Sequence, residues 1–185
     1  MTALPAELNP NKVLLGAQAG MVQMPVCDHY SGVEARMRKT LELQEELTEE
    51  FGTCVFDATL DCEDGAPVGG ELEHAVLVSE IAASAPARAR VAVRVHAVDH
   101  PSFQEDVATI VPKAGHRLVH LMLPKVESPA DLDAAVTAID RAGGQHLPLH
   151  ALIESPRAVH HAFDIAAHPR IASLSFGVMD FVSAH

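Results

Sequence analysis

The sequence predicts an α/β fold of repeated βα units, read as an incomplete TIM (β/α)8 barrel. Three observations carry that expectation. Short β-branched runs alternate with longer amphipathic stretches along the chain, the pattern of strands feeding crossover helices in a parallel sheet. Neither a G-x-G-x-x-G nor a P-loop signature is present, and either would have favoured an open doubly wound sheet. The 185 residues hold six such units, whereas a complete barrel takes about 250 residues. Residues 1–185 are therefore expected to form one partial barrel domain, with its last two βα units missing.

Composition narrows the functional classes. Thirteen Lys and Arg against twenty-five Asp and Glu give a net charge of −12, which leaves no basic surface for a phosphate backbone. A nucleic-acid partner is excluded on that ground. No apolar run approaches the roughly 20 residues of a membrane helix, and MTALPAELNPNK lacks the charged and apolar regions of a signal peptide. Cys27, Cys54 and Cys62 are three cysteines without metal spacing, so a cytoplasmic location fits best. With 4% aromatic residues and no Trp, the core must be aliphatic.

Taken in order, Lys12–Leu15 (KVLL) opens as the first strand, and a helix follows from Gly32 to Phe51. In that helix Val33, Met37, Leu41 and Leu47 fall near one face, and the acids of ELQEELTEE cover the other. The second strand, Thr53–Asp57, leads through a polar loop to a helix over Glu71–Ala83. Arg90–Val95 is the third strand, with a helix from about Ser102. Leu118–Leu123 is the fourth, after which Ser128 can cap a helix that Pro129 starts. Leu147–Ile153 is the fifth, followed by the same signature in Ser155 and Pro156, and Ile171–Phe176 is the sixth.

Polar residues of catalytic type follow strand after strand: Asp57, Asp61, Glu63 and Asp64, then Arg94 and His96, Lys125 and Glu127, Glu154, and Asp180. In a parallel α/β protein these positions converge at the carboxyl ends of the strands, where sites lie. Glu154 and Asp180 would sit side by side as hard oxygen ligands suited to Mg²⁺; alternatively, Glu154 only favours the helix N-terminus beside it. Arg94, amid apolar neighbours, needs a planar anion, either a substrate carboxylate or a buried acid. Glu63 and Asp64 either orient Arg94 and the metal's water or form a solvated Asp-Gly turn. Lys125 either faces the pocket or pairs with Glu127. The twelve histidines form no HExxH pattern and are read as surface or packing residues. Ser155 lacks a G-x-S-x-G elbow, which disfavours serine hydrolase chemistry.

The segments FDATLDCEDGAP, VAVRVHAVDHP, LMLPKVESPADLDAAV and LPLHALIESPRAVHHAFDIAAHPRIASLSFGVMDF resemble the HpcH/HpaI aldolase/citrate lyase family, in particular its citrate lyase beta-subunit-like and malyl-CoA lyase-like branch. The resemblance runs from about Thr53 to Phe181. It implies an oligomeric TIM barrel that uses Mg²⁺ to hold a 2-keto acid while a carbon–carbon bond to an acyl-CoA or acyl-carrier thioester is broken or made. It further implies Glu154 and Asp180 as metal ligands, and Arg94, Gly177 and Asp180 as substrate-binding residues. Arg94, Glu63 and Asp64 become catalytic, the two acids supporting Arg94 and the metal's water. KVLLGAQAGMVQMP lacks the arginine and Pro-Gly turn common at the family's first strand. Two other readings share the site: hydrolysis of the thioester, and a noncatalytic keto-acid-binding or assembly subunit.

Overall fold

The computed structural model describes residues 27–184. Six parallel strands form one sheet in sequential order, β1 Cys27–Ser31, β2 Phe56–Asp61, β3 Val91–Arg94, β4 Leu118–Leu123, β5 Leu149–Ile153 and β6 Ile171–Phe176. Between them run α1 Glu34–Phe51, α2 Glu71–Ser84, α3 Phe103–Ala114, α4 Pro129–Arg141, and the short α5 Pro156–His160 and α6 Ala162–Ala166; α7 Val178–Ser183 follows β6. Sequential parallel order with a helix in each crossover is the arrangement of a (β/α)8 barrel, of which the described residues supply six strands.

One expected strand lies outside the described residues and another is corrected. Lys12–Leu15 lies outside the described residues, and the first described strand is Cys27–Ser31, whose CDHYS has no β-branched residue to mark it. The second strand was expected at Thr53–Asp57 and occurs at Phe56–Asp61. The polar half of FDATLD looks like loop, but its period-2 alternation sends Asp57, Thr59 and Asp61 to one face and Phe56, Ala58 and Leu60 to the other. The fourth and sixth strands lie where they were expected.

That alternation organises the molecule. The apolar core, including Leu60, Val91, Val93, Val95, Leu121, Leu123, Leu149 and Ala151, lies between the outer face of the sheet and the helices. The concave inner face carries Asp28, Asp57, Asp61, Arg90, Arg94, His120, His150 and Glu154 at the alternate positions. Helix starts obey local stereochemistry. Pro129 and Pro156 occupy first-turn positions, Asp131 accepts from the Ser128 N–H at 2.9 Å, and Ser155 Oγ accepts from the Ala158 N–H at 3.0 Å.

Gln44 ties α1 to two strands. Its amide donates to Phe56 O (2.8 Å) and Arg90 O (2.9 Å), and its carbonyl accepts from the Arg90 N–H (3.0 Å). Gln44→Ala would leave buried backbone groups unpaired, and a loss of about 1–3 kcal/mol is expected in urea unfolding.

Candidate active site

The carboxyl ends of the strands bring most of the expected residues together. An open cleft of about 290 Å³ is lined by Tyr30, Asp64, Arg94, Glu154, Gly177 and Asp180, among others. Arg94 is at its centre and almost fully buried. Its Nε and one terminal nitrogen grip the Asp61 carboxylate, both at 2.7 Å; Asp64 accepts at 2.6 Å, and Glu63 Oε2 lies 2.8 Å from the other terminal nitrogen. Of the two partners left open by the sequence, the structure therefore shows buried acids. Burial opposes the guanidinium's charge, but the hydrogen bonds and charge of Asp61, with Glu63 and Asp64, hold its pKa above the ordinary arginine range. Tyr30 places its ring 5.1 Å from the guanidinium carbon, a cation–π contact.

The loop carrying Glu63 and Asp64 is held by a close backbone approach. A Cβ on Gly65 would collide with the Asp61 carbonyl and with Gly32, so DCEDG can fold tightly over Arg94 only with glycine there. Its acids are not merely a solvated turn.

Lys125 has φ 52°, a left-handed backbone rarely adopted by a residue with a side chain. Its N–H donates to Glu154 Oε2 at 2.9 Å, and its Nζ lies 2.8 Å from Glu63 Oε1 and 3.9 Å from Asp180 Oδ1. Lys125 thus joins the acids of the cleft instead of pairing with Glu127. Glu154 meets this N–H across the strands, in addition to preceding its own helix. Burial raises the Glu154 pKa, the Lys125 N–H partly offsets that, and the charges of Glu63 and Asp180 add to the rise.

Gly177 gives Glu154 its room. A Cβ at this position would overlap the Glu154 carboxylate. Glu154 and Asp180 supply hard oxygens, and the buried Glu63 carboxylate beside them is ion-paired to Lys125 and Arg94. Close carboxylates and a cradle that one methyl group would fill suit an oxygen-liganded cation such as Mg²⁺. Gly177→Ala is expected to cost about 1–3 kcal/mol of stability by overpacking and to weaken divalent-cation binding, measured by calorimetry. Unchanged cation affinity would contradict the cradle.

Other expected residues go elsewhere. His96 turns to α3, where its Nδ1 lies 2.7 Å from Asp106 Oδ2. Glu127 lines a separate surface cleft with Asp99, Asp131 and Arg157. Asp57 is gripped by Arg90 deeper in the sheet. Sequence reasoning placed Asp61 among the polar residues after the second strand but did not pair it with Arg94, and it did not single out Tyr30. For Asp61 the D-x-T-x-D alternation was an available signal, and for Tyr30 there was none in CDHYS.

The match to known proteins agrees with this geometry. Residues 43–184 match the family model of HpcH/HpaI aldolase/citrate lyase. The chain belongs to that family. An L-malyl-CoA/beta-methylmalyl-CoA lyase of Cereibacter sphaeroides is 37% identical over 146 residues, covering 75% of this chain and 46% of that protein. This HpcH/HpaI family chain also superposes on a citrate lyase from Burkholderia xenovorans LB400 with TM-score 0.79 at 40% identity, covering 89% of this chain and 51% of that one. A citrate lyase beta subunit of M. tuberculosis, complexed with oxaloacetate and magnesium, matches with TM-score 0.61 at 20% identity, a likeness of fold. The chain thus spans about half the length of the first two relatives.

Proposed function

We propose that the chain carries the metal and keto-acid site of a Mg²⁺-dependent carbon–carbon lyase acting on a malyl-type or citrate-like thioester. The observation that carries this reading is the convergence of Glu154, Asp180, Arg94 and Asp64 on one cleft, with Gly177 making room. The 37% identity to a malyl-CoA lyase supports it.

Glu154 and Asp180 are the residues that would hold Mg²⁺. When bound, the ion supplies Lewis-acid polarisation of the keto-acid oxygens. Arg94 presents fixed positive charge where oxygen charge develops as the bond to the thioester fragment breaks. Two of its hydrogen bonds go to buried Asp61, which orients it, whereas Asp64 is 76% exposed. A substrate carboxylate would take the place of Asp64 on the guanidinium, with Asp61 and Glu63 left to hold it. The Gly177 backbone and Asp180 border the same space and are assigned to the substrate. Lys125 steadies Glu63 beside the cation.

The test is product analysis with malyl-CoA and Mg²⁺. Glyoxylate and acetyl-CoA are expected, formed in equal amounts. Free CoA with malate would instead favour hydrolysis, a reading supported by a (3S)-malyl-CoA thioesterase of Cereibacter sphaeroides that is 33% identical over 88 residues. Keto-acid binding without either product set would favour a noncatalytic subunit. Among the described residues no helix is long and apolar enough to cross a membrane, and a cytoplasmic enzyme is proposed. Assembly into a homo-oligomer is proposed from the family resemblance, and light scattering would measure it.

A further inference from the structure

Below the cleft, the concave face carries a second group of ligand-type side chains that the proposed lyase chemistry does not use. Asp28 on β1, His120 on β4 and His150 on β5 bring one donor atom each within 4.8 Å of one another. Glu154, just past the end of β5, is four positions beyond His150, about 13 Å at the usual strand rise, so the group is distinct from the cleft carboxylates. We propose that Asp28, His120 and His150 form a binding site for a divalent transition-metal ion of the Zn²⁺ class.

Three observations carry this inference. The donor set is two imidazoles and one carboxylate, chemistry that selects Zn²⁺ and its neighbours over Mg²⁺. His120 Nε2 is buried without a hydrogen-bond partner among the described residues and lies 3.9 Å from Asp28 Oδ1. A buried ring nitrogen with no partner costs free energy unless something fills the space. The flanking groups are of the kind that orient ligating histidines, hydrogen-bonded to His150 and near, but beyond hydrogen-bond distance of, His120. Asp57, itself gripped by Arg90, lies 3.9 Å from His120 Nδ1 on the far side of the ring. Ser173 and Ser175 hold the two nitrogens of His150 at 2.6 and 2.8 Å. One serine yields its nitrogen to the ion, and the other keeps the ring in place.

Burial pushes the His120 and His150 pKa values down to about 3 and about 4, which leaves both imidazoles neutral at physiological pH, the form that ligates. The bound ion would tie β1 to β4 and β5 across the open face. Its contribution is therefore to stability, separate from turnover.

The experiment titrates the metal-stripped full chain with Zn²⁺ in saturating Mg²⁺, followed by calorimetry and thermal unfolding, with Co²⁺ as a spectroscopic substitute. One Zn²⁺ equivalent that Mg²⁺ does not displace is expected, together with a raised Tm and a four- or five-coordinate Co²⁺ spectrum. His120→Asn and Asp28→Asn should each weaken Zn²⁺ binding by more than about 10–100-fold, the cost of losing only an outer partner. Glu154→Gln should leave Zn²⁺ binding unchanged, which keeps this result separate from any failure of the lyase reading. Surface histidines such as His160 are present in every variant and serve as the internal control. Absence of the Zn²⁺ equivalent, undiminished affinity in both variants, or an octahedral, water-dominated Co²⁺ spectrum in the unmodified chain would overturn the proposal. The last readout holds even if a variant fails to fold.

Discussion

Glu154→Gln or Asp180→Asn is expected to reduce Mg²⁺-dependent cleavage of a malyl-type thioester by more than about 100-fold, since loss of even an outer partner of a metal ligand costs about 10–100-fold. Each substitution removes one negative charge and little volume. Glutamine at 154 keeps an oxygen that can accept from the Lys125 N–H, so the cleft should persist. The fold should survive in both variants, because the aliphatic core lies on the opposite face of the sheet. Turnover measured across a Mg²⁺ series, with circular dichroism on the same samples, checks this result. Full activity in either variant would remove that residue from the ligand set.

Arg94 should respond in the opposite manner, through stability as well as turnover. In Arg94→Met the Asp61 carboxylate, whose side chain is 6% exposed, loses the cation that compensates it, and Glu63, 9% exposed, keeps only Lys125. Stranding buried charge in this way typically costs about 3–5 kcal/mol, which urea unfolding would register. Arg94→Lys separates the two effects. It keeps a charge among the acids, so most of the stability should return. It loses the planar fork that grips Asp61 through two nitrogens while presenting others. A fall in kcat of about 100–1000-fold is expected for that loss of a positioned donor. If Arg94→Lys were both stable and fully active, Arg94 would be a structural ion and no more.

The limits of sequence reading here have physical causes. β4 and β6 were legible because LVHLML and IASLSF are dense in strand-forming side chains, and the starts of α4 and α5 because Ser-Pro marks a helix terminus within two residues. β1 and the true extent of β2 were not, since their inner faces are polar and outside any apolar run. Glu154, Asp180 and Arg94 could be placed near one another from topology alone. The roles of Asp61 and Lys125 could not, because they depend on register and on one unusual φ. Register sets Asp61 opposite Arg94, and the left-handed backbone of Lys125 turns its N–H to one acid and its ammonium to another. The pairing of His120 with His150 likewise arises only when strands distant in sequence curve around a common interior.

The division between an aliphatic outer face and a polar inner face has a consequence for how such a protein can change. On the proposed assignments, substitutions at Asp28, Arg94, His120 or Glu154 would alter ion preference and the anion that is recognised, while those at Val93, Leu121 or Leu149 would alter cohesion. The two sets alternate along the same strands and point in opposite directions. New specificity can therefore be explored one residue at a time without emptying the packing beneath it, except where, as at Arg94, a charge is itself part of the scaffold.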